Sequence, residues 1–350
     1  MKPRQNQTGS LGCYQPGSCP VISQHRISRR AFVVGNSLVL FGGAGRSFSS
    51  ECFRAESSGD QPIRAALLTD LHYADKPAAG SRHYRDTLEK LAIAADQLKQ
   101  SSITHPLDFV IELGDLIDAA DSVETEMKYL ARVNRDFAAI ADNRHYVLGN
   151  HCVTTLTKPE FLGAVEREKS FYSFDVRQFH FVVLDACFRS DGVAYGRQNF
   201  VWTDANIPQD QLDWLAEDLK STDKPTIVFV HQRMDTNDHH GIKNAAAVRA
   251  VLECSGHVFG VFQGHSHKND HREINDIHYC TLAAMIEGPA KKDTGKKVSE
   301  EATPSTGTDV NNAFSRLTIE VDGTIRLEGF FNQSDYRWAV SPQIAPARNG

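Results

Sequence analysis

Six short apolar runs in this chain each end in residues that are polar or able to bind a metal: IRAALLTD (63–70), LDFVIELGD (107–115), RHYVLGN (144–150), FHFVVLDA (179–186), TIVFVHQ (226–232) and VFGVFQGH (258–265). Runs of this length, rich in β-branched and aromatic residues, read as buried strands. Helical patterns lie between several of them: SRHYRDTLEKLAIAADQLKQ (81–100), DSVETEMKYLARVNRDFAAIA (121–141), QDQLDWLAEDLK (209–220) and NAAAVRAVLEC (244–254). After Gly264 the pattern changes to strands alone, IHYCTLAA, AFSRLTIEV and TIRLEGFF, with Asp322-Gly323 as a hairpin turn. Alternating strands and helices followed by an antiparallel set predict an α/β fold, a four-layer αββα sandwich with two packed mixed β-sheets flanked by helices. No internal repeat interrupts this pattern.

The polar groups stand at the carboxyl ends of the strands. Asp70 and His72 follow the first, Asp115 the second, Asn150 and His151 the third, His231 a later one, and His265 with His267 the last. In a largely parallel sheet these ends share one edge, so residues far apart in sequence converge in one crevice. Carboxylate, imidazole and amide oxygen suit Mn, Fe or Zn, and one carboxylate can bridge two ions. The fifteen histidines add to this reading, because His231, His239, His240, His257, His265, His267, His271 and His278 crowd one third of the chain.

A single Asp-x-His or Gly-His-x-His is more often a capped strand end. Taken together and in order, DLH, GDLID, GNH, the lone His231 and GHSH resemble the calcineurin-like metallophosphoesterase superfamily, over about residues 62–332. The resemblance implies one metal held by Asp70, His72, Asp115 and His267, and a second held by Asp115, Asn150, His231 and His265. Two divalent or trivalent ions (Mn, Fe or Zn) would clamp a phosphoryl group, with a hydroxide between them as nucleophile. His151 would then stabilise the phosphoryl transition state or protonate the leaving oxygen, and Asp118 would orient His151. Cys152 stands directly after GNH, where an acid is usual, and reads as a small packing residue, with a thiolate ligand or redox-sensitive brake as alternatives.

The implied function is cleavage of a small phosphoester, mono- or diester, by a binuclear metal-dependent hydrolase. Ala119 and Ala120 replace the arginine and glycine that continue the GD-x-x-D motif in phosphoprotein phosphatases, which disfavours a protein phosphatase. The stretch AYGRQNFVWTDANIPQDQLDWLAEDL is similar to one that borders the site in bacterial phosphodiesterase-like and alkaline-phosphatase-like members. It makes Tyr195, Arg197 and Phe200, and beyond it Arg233 and His239, candidates for contacting a leaving group. An inactive scaffold on the same fold would have lost donors, and none of the seven is missing. A nuclease is disfavoured by the formal charge of −6, which provides no basic field for nucleic acid.

The first residues read as an address. ISRRAFVVGNSLVLFGGAG sets Ser28, Arg29, Arg30 and Phe32 before a weakly apolar stretch and resembles a twin-arginine export signal. That stretch is shorter than the roughly 20 residues of a membrane span. The expected organisation is a leader and linker over 1–58, the metallophosphoesterase domain over 59–335 and a tail over 336–350. The expected partners are a small phosphoester and the twin-arginine machinery, without nucleic acid or a stable membrane span, in a periplasmic or secreted protein. Of the cysteines, Cys13, Cys19 and Cys52 belong to the leader region, while Cys152, Cys187, Cys254 and Cys280 have no paired spacing and read as core thiols. The Gly-, Thr- and Lys-rich segment 288–312 reads as a mobile loop.

Overall fold

The computed structural model describes residues 61–103, 105–288 and 311–339; the expected leader and nearly all of the 288–312 loop lie outside the described residues. Strands β1 (Ile63–Leu68), β2 (Phe109–Glu112) and β3 (Arg144–Tyr146) pair in parallel. The other side of β1 receives an antiparallel set, β10 (Ala313–Ile319), β11 (Thr324–Phe331) and β12 (Tyr336–Ala339). The sheet therefore continues past the domain end expected at 335. The second sheet contains β4 (Tyr172–Val176), β5 (Phe179–Val183), β6 (Thr226–Phe229), β7 (Val258–Gln263), β8 (Asp270–Ile274) and β9 (Ile277–Thr281) in the order β4-β5-β6-β7-β9-β8. Its four inner strands run parallel and its two edges antiparallel.

Alternation along β1 builds three layers of core. Ala65 and Leu67 point inward with Phe109 and Ile111 to meet Phe181, Ile227, Phe229 and Phe262 of the second sheet. Ala66 and Leu68 point to the other face, where α1 (Thr87–Ser101), α2 (Val123–Ala138) and α3 (Lys158–Ala164) cover them. On the far side, α4 (Gln209–Lys220) and α5 (Ala245–Ser255) pack on Val182, Val228 and Val261. Helix α1 shows why such elements form and stay, since its buried Leu91, Ala94, Ala95 and Leu98 recur at helical spacing along one stripe. The result is the four-layer αββα sandwich.

The Asp322-Gly323 turn joins β10 to β11, with Gly323 at φ +83°. No helix among the described residues is long and apolar enough to cross a membrane.

Candidate metal centre

The crevice collects donors from both sheets. Sheet one delivers Asp70 and His72 after β1, Asp115 after β2 and Asn150 after β3; sheet two delivers His231 after β6 and His265 with His267 after β7. Asp70, His72, Asp115, His265 and His267 all lie in the left-handed region, at φ of 53°, 45°, 61°, 69° and 58°. Non-glycine residues rarely adopt that region, and each one costs of order 1–3 kcal/mol unless its surroundings enforce it. Strain concentrated on proposed donors marks a site rather than a packing accident.

The donors form two groups that share one carboxylate. In the first, His72 Nε2 lies 3.2 Å from His267 Nε2, and Asp70 Oδ1 lies 3.7 Å from the one and 3.4 Å from the other. In the second, His231 Nε2 lies 3.1 Å from Asp115 Oδ2 and 3.3 Å from His265 Nδ1. Asp115 Oδ2 also stands 3.5 Å from His72 Nε2, which puts it between the groups. Two ligands on one ion at about 2.1 Å lie roughly 3 Å from each other, so these separations are those of a coordination shell.

Hydrogen bonds fix which atom of each donor faces inward. The Asp70 Oδ2 atom accepts from the Thr69 hydroxyl at 2.7 Å and from the His265 N–H at 3.1 Å, leaving Oδ1 buried without a partner. Asp115 Oδ1 accepts from the His151 N–H at 2.7 Å, which leaves Oδ2 free to bridge. His231 Nδ1 donates to the Leu113 carbonyl at 2.9 Å and His267 Nδ1 to Glu287 Oε1 at 2.7 Å, the outer bonds that orient an imidazole and free its Nε2. Asn150 Oδ1 and His265 Nε2 are likewise buried and without hydrogen-bond partners. The partnerless, buried Oδ1 of Asp70, facing Nε2 of His72 and of His267, fits a cation. Backbone approaches closely here: a Cβ on Gly149 would sit 2.2 Å from Asp115 Oδ1, and one on Gly114, already at φ +106°, 2.4 Å from His231 Nδ1.

Charge follows geometry. Burial opposes ionisation of Asp70 and Asp115, yet the imidazoles of His267 and His72 hold Asp70 well below the usual carboxylate range, and those of His231, His151 and His72 do the same for Asp115. Burial also works against a charged His267, but Asp70 and Glu287 together push that imidazole up to about 9. His265 is pushed down to about 3 by burial and by His231, and stays a neutral ligand. Glu112, three residues before Asp115, is buried, and burial holds its carboxyl far above the usual range, so it brings no charge beneath the donors.

Asp118 differs from its expected role as the partner of His151 alone. Its Oδ1 lies 3.5 Å from His151 Nδ1, but its Oδ2 lies closer, 3.2 Å, to Nδ1 of His72. Lys76 Nζ donates to Oδ1 at 2.9 Å. One carboxylate thus backs both a proposed ligand and the proposed acid. His151 also stands near enough to His72 and Asp115 to join a donor group. Cys152 is buried in the core beneath α2 and α3, and burial with Glu112 and Asp115 pushes its thiol far up, against a thiolate ligand.

Several sequence expectations for the cleft walls are corrected. Tyr195 is buried and its hydroxyl donates to Val201 O; Arg197 is bound to Glu160 and Thr155 O; Arg233 is bound to Asp235 and Asp270. These side chains are committed to holding loops. Phe200 stays near His151, with ring centroids 6.3 Å apart, and His239 packs edge-on to Trp202 at 5.3 Å. Sequence reasoning did not identify Glu287, Lys76, Arg82 or Trp202. It also missed Glu126 of α2, whose carboxylate accepts from Ala120 N–H and Leu156 N–H and so ties the Asp118 loop to the His151 loop. The cleft, about 390 Å³, is lined by Arg82, Asp115, Asn150, His151, Trp202 and His265, among others. A larger cavity of about 580 Å³ between α4 and α5 contains none of the proposed donors.

No protein-family model matches the chain. The dimetal phosphatase from Danio rerio superposes with a TM-score of 0.65 at 20% identity, covering 80% of this chain and 99% of that one. The chain shares the fold of that dimetal phosphatase. A manganese-dependent ADP-ribose/CDP-alcohol diphosphatase from Oryza sativa is 23% identical over 280 residues, 67% of this chain and 86% of the relative. A 3',5'-cyclic-nucleotide phosphodiesterase from Nostoc sp. is 26% identical over 227 residues, 62% of this chain and 76% of the relative.

Proposed function

We propose that this chain hydrolyses small phosphoesters with two divalent metal ions. The observation that carries the reading is the position of Asp115 Oδ2, 3.1 Å from His231 Nε2 on one side and 3.5 Å from His72 Nε2 on the other. Asp70, His72, Asp115 and His267 would hold one ion, and Asp115, Asn150, His231 and His265 the other. Ions held there supply a clamp for the phosphoryl group, an acidified water as nucleophile, and charge for the attacking and leaving oxygens.

The rest of the chemistry falls to side chains. With Nδ1 of His151 turned to Asp118, its Nε2 is left for the cleft, where it donates a proton to the leaving oxygen. Asp118 is a positioning residue: burial opposes its charge, but His151 and His72 hold its carboxyl ionised, which keeps both rings turned. No protein nucleophile is needed, and the buried Cys152 thiol stays protonated. The names of the rice and Nostoc relatives support a nucleotide-sized substrate and manganese. Release of 4-nitrophenol from bis(4-nitrophenyl) phosphate, assayed with Mn²⁺ and after chelation, tests the reading. Turnover that requires the metal is expected; no turnover with Mn²⁺, Fe²⁺ or Zn²⁺ on mono- and diester panels would overturn it.

Export is a second proposal, supported by Ser28, Arg29, Arg30 and Phe32 of the leader, which lies outside the described residues. Replacing Arg29 and Arg30 by lysine should retain the protein in the cytoplasm, because twin-arginine recognition reads the guanidinium pair. Unchanged periplasmic fractionation would contradict it.

A further inference from the structure

A second group of donors stands beside the cleft and takes no part in the arrangement around Asp115. The loop after β6 carries Asp238, His239 and His240, and a carboxylate oxygen and one nitrogen from each ring all lie within 4.8 Å of one another. Consecutive side chains converge in this way because the backbone turns back on itself. The His240 N–H donates to Asp238 Oδ1 at 2.8 Å, and the Gly241 N–H to the Asp238 carbonyl at 3.0 Å. The turn is closed against a fixed segment, since the Arg233 N–H donates to the His240 carbonyl at 3.2 Å and the Ile242 N–H to the Arg233 carbonyl at 2.9 Å. Gly241 permits the close approach: a Cβ there would lie 2.4 Å from the Thr236 carbonyl oxygen.

The rings are held as firmly as the backbone. Their centroids lie 4.1 Å apart, and Trp202 lies edge-on to His239 at 5.3 Å and 5.8 Å from His240. His240 Nδ1 faces Asp238 Oδ1 at 3.4 Å. The turn uses only Oδ1 of Asp238, and among the described residues the His239 ring takes no hydrogen bond. A carboxylate oxygen and imidazole nitrogens are thus left for a ligand.

Two imidazoles and a carboxylate are a donor set that zinc accepts, and three protein ligands leave a tetrahedral ion one position for water. We propose that Asp238, His239 and His240 form a third metal site, selective for Zn²⁺ and separate from the pair of ions at Asp115. His240 also lines the cleft, and its ring lies 5.6 Å from that of His265. The ion would therefore adjoin the cleft and add positive charge where an anionic substrate enters. Mn²⁺, at the weak end of the divalent series, leaves this small, partly exposed group empty, whereas zinc binds such donors more tightly and fills it.

Metal bound per chain, measured by equilibrium dialysis of the Mn²⁺-loaded protein against Zn²⁺ and elemental analysis, tests this. His271 and His278, with nitrogens 3.1 Å apart on β8 and β9, offer zinc another place, and zinc can replace manganese at the pair. The reading is therefore the difference in total metal, manganese plus zinc, between wild type and variant. His239→Ala should carry one ion fewer than the wild type. Asp238→Asn, which keeps the oxygen that closes the turn, should weaken the same ion by about tenfold or more, and His271→Ala should leave that ion in place. Crystals soaked in Zn²⁺ should show an anomalous scattering peak among Asp238, His239 and His240. Equal metal content in wild type and His239→Ala, or no such peak in the wild type, would overturn the assignment. Because only a difference is read, the result stands whether or not the ions at Asp115 number two.

Discussion

Two buried histidines of the second sheet, His180 at the start of β5 and His231 after β6, each lie against two carboxylates, and they have opposite characters. His180 Nδ1 meets Asp175 at 2.7 Å and Nε2 meets Asp218 at 2.9 Å, while the remaining oxygens of those aspartates take Lys224 and Ser173 at 2.6 Å each. None of these residues has a left-handed backbone. Around His231, by contrast, Asp70, Asp115 and His265 are all left-handed, and Asp70 Oδ1 and His265 Nε2 have no hydrogen-bond partner. The same residue types make a closed structural pin at one edge of the sheet and a set of open donors at the other. Satisfaction and backbone strain, not composition, separate the two.

The largest break in this contrast should come from Asp115→Asn. Removing the shared anion should lower turnover by at least about 100-fold, because even residues outside the coordination shell cost 10–100-fold. Steady-state kinetics with unchanged circular dichroism would check this. Asp118→Asn comes next. Its contacts with both His72 and His151 predict a fall of about 10–100-fold in Mn²⁺ affinity as well as in turnover. A loss of turnover with metal affinity intact would return Asp118 to the single role read from sequence.

His180 sharpens the contrast through pH. Burial disfavours its charge, yet Asp218 and Asp175 outweigh that and raise its pKa above the ordinary 6.5. The cluster's stabilisation is therefore whole below about pH 6.5 and is lost as pH rises through the folded value. The Tm gap between wild type and His180→Gln should shrink from pH 6 to about pH 9, with activity little changed. A gap that widens with pH would mean that the imidazole is pinned neutral. The smallest effect is expected from Cys152→Ser, a near-isosteric change in the core whose turnover should stay within about twofold of wild type.

The donors were legible because each follows its own apolar run, and strand order converts sequence distance into shared position. The backbone strain was not: DLH and GHSH do not announce a left-handed residue. Edge strands β4, β8 and β12 escaped for another reason. The β8 segment, DHREI, exposes most of its residues and has no apolar run to reveal it. Asp118 could be matched to one histidine by motif spacing, but not to a second that arrives from the β1 loop. Arg82 and Glu287 lie in loops without periodicity, and only the closing of the sandwich brings them to the cleft. Trp202 did leave a trace, the aromatic stretch around Phe200, but the residue chosen there was its neighbour.

The most direct test of the contrast counts metal ions. Mn²⁺ bound per chain, measured by calorimetry and elemental analysis, should be two for the wild type and for His180→Gln, and should fall to one or fewer for His231→Ala. Two ions retained by His231→Ala, or an ion lost from His180→Gln while the fold persists, would contradict the assignment of the open cluster as the metal centre.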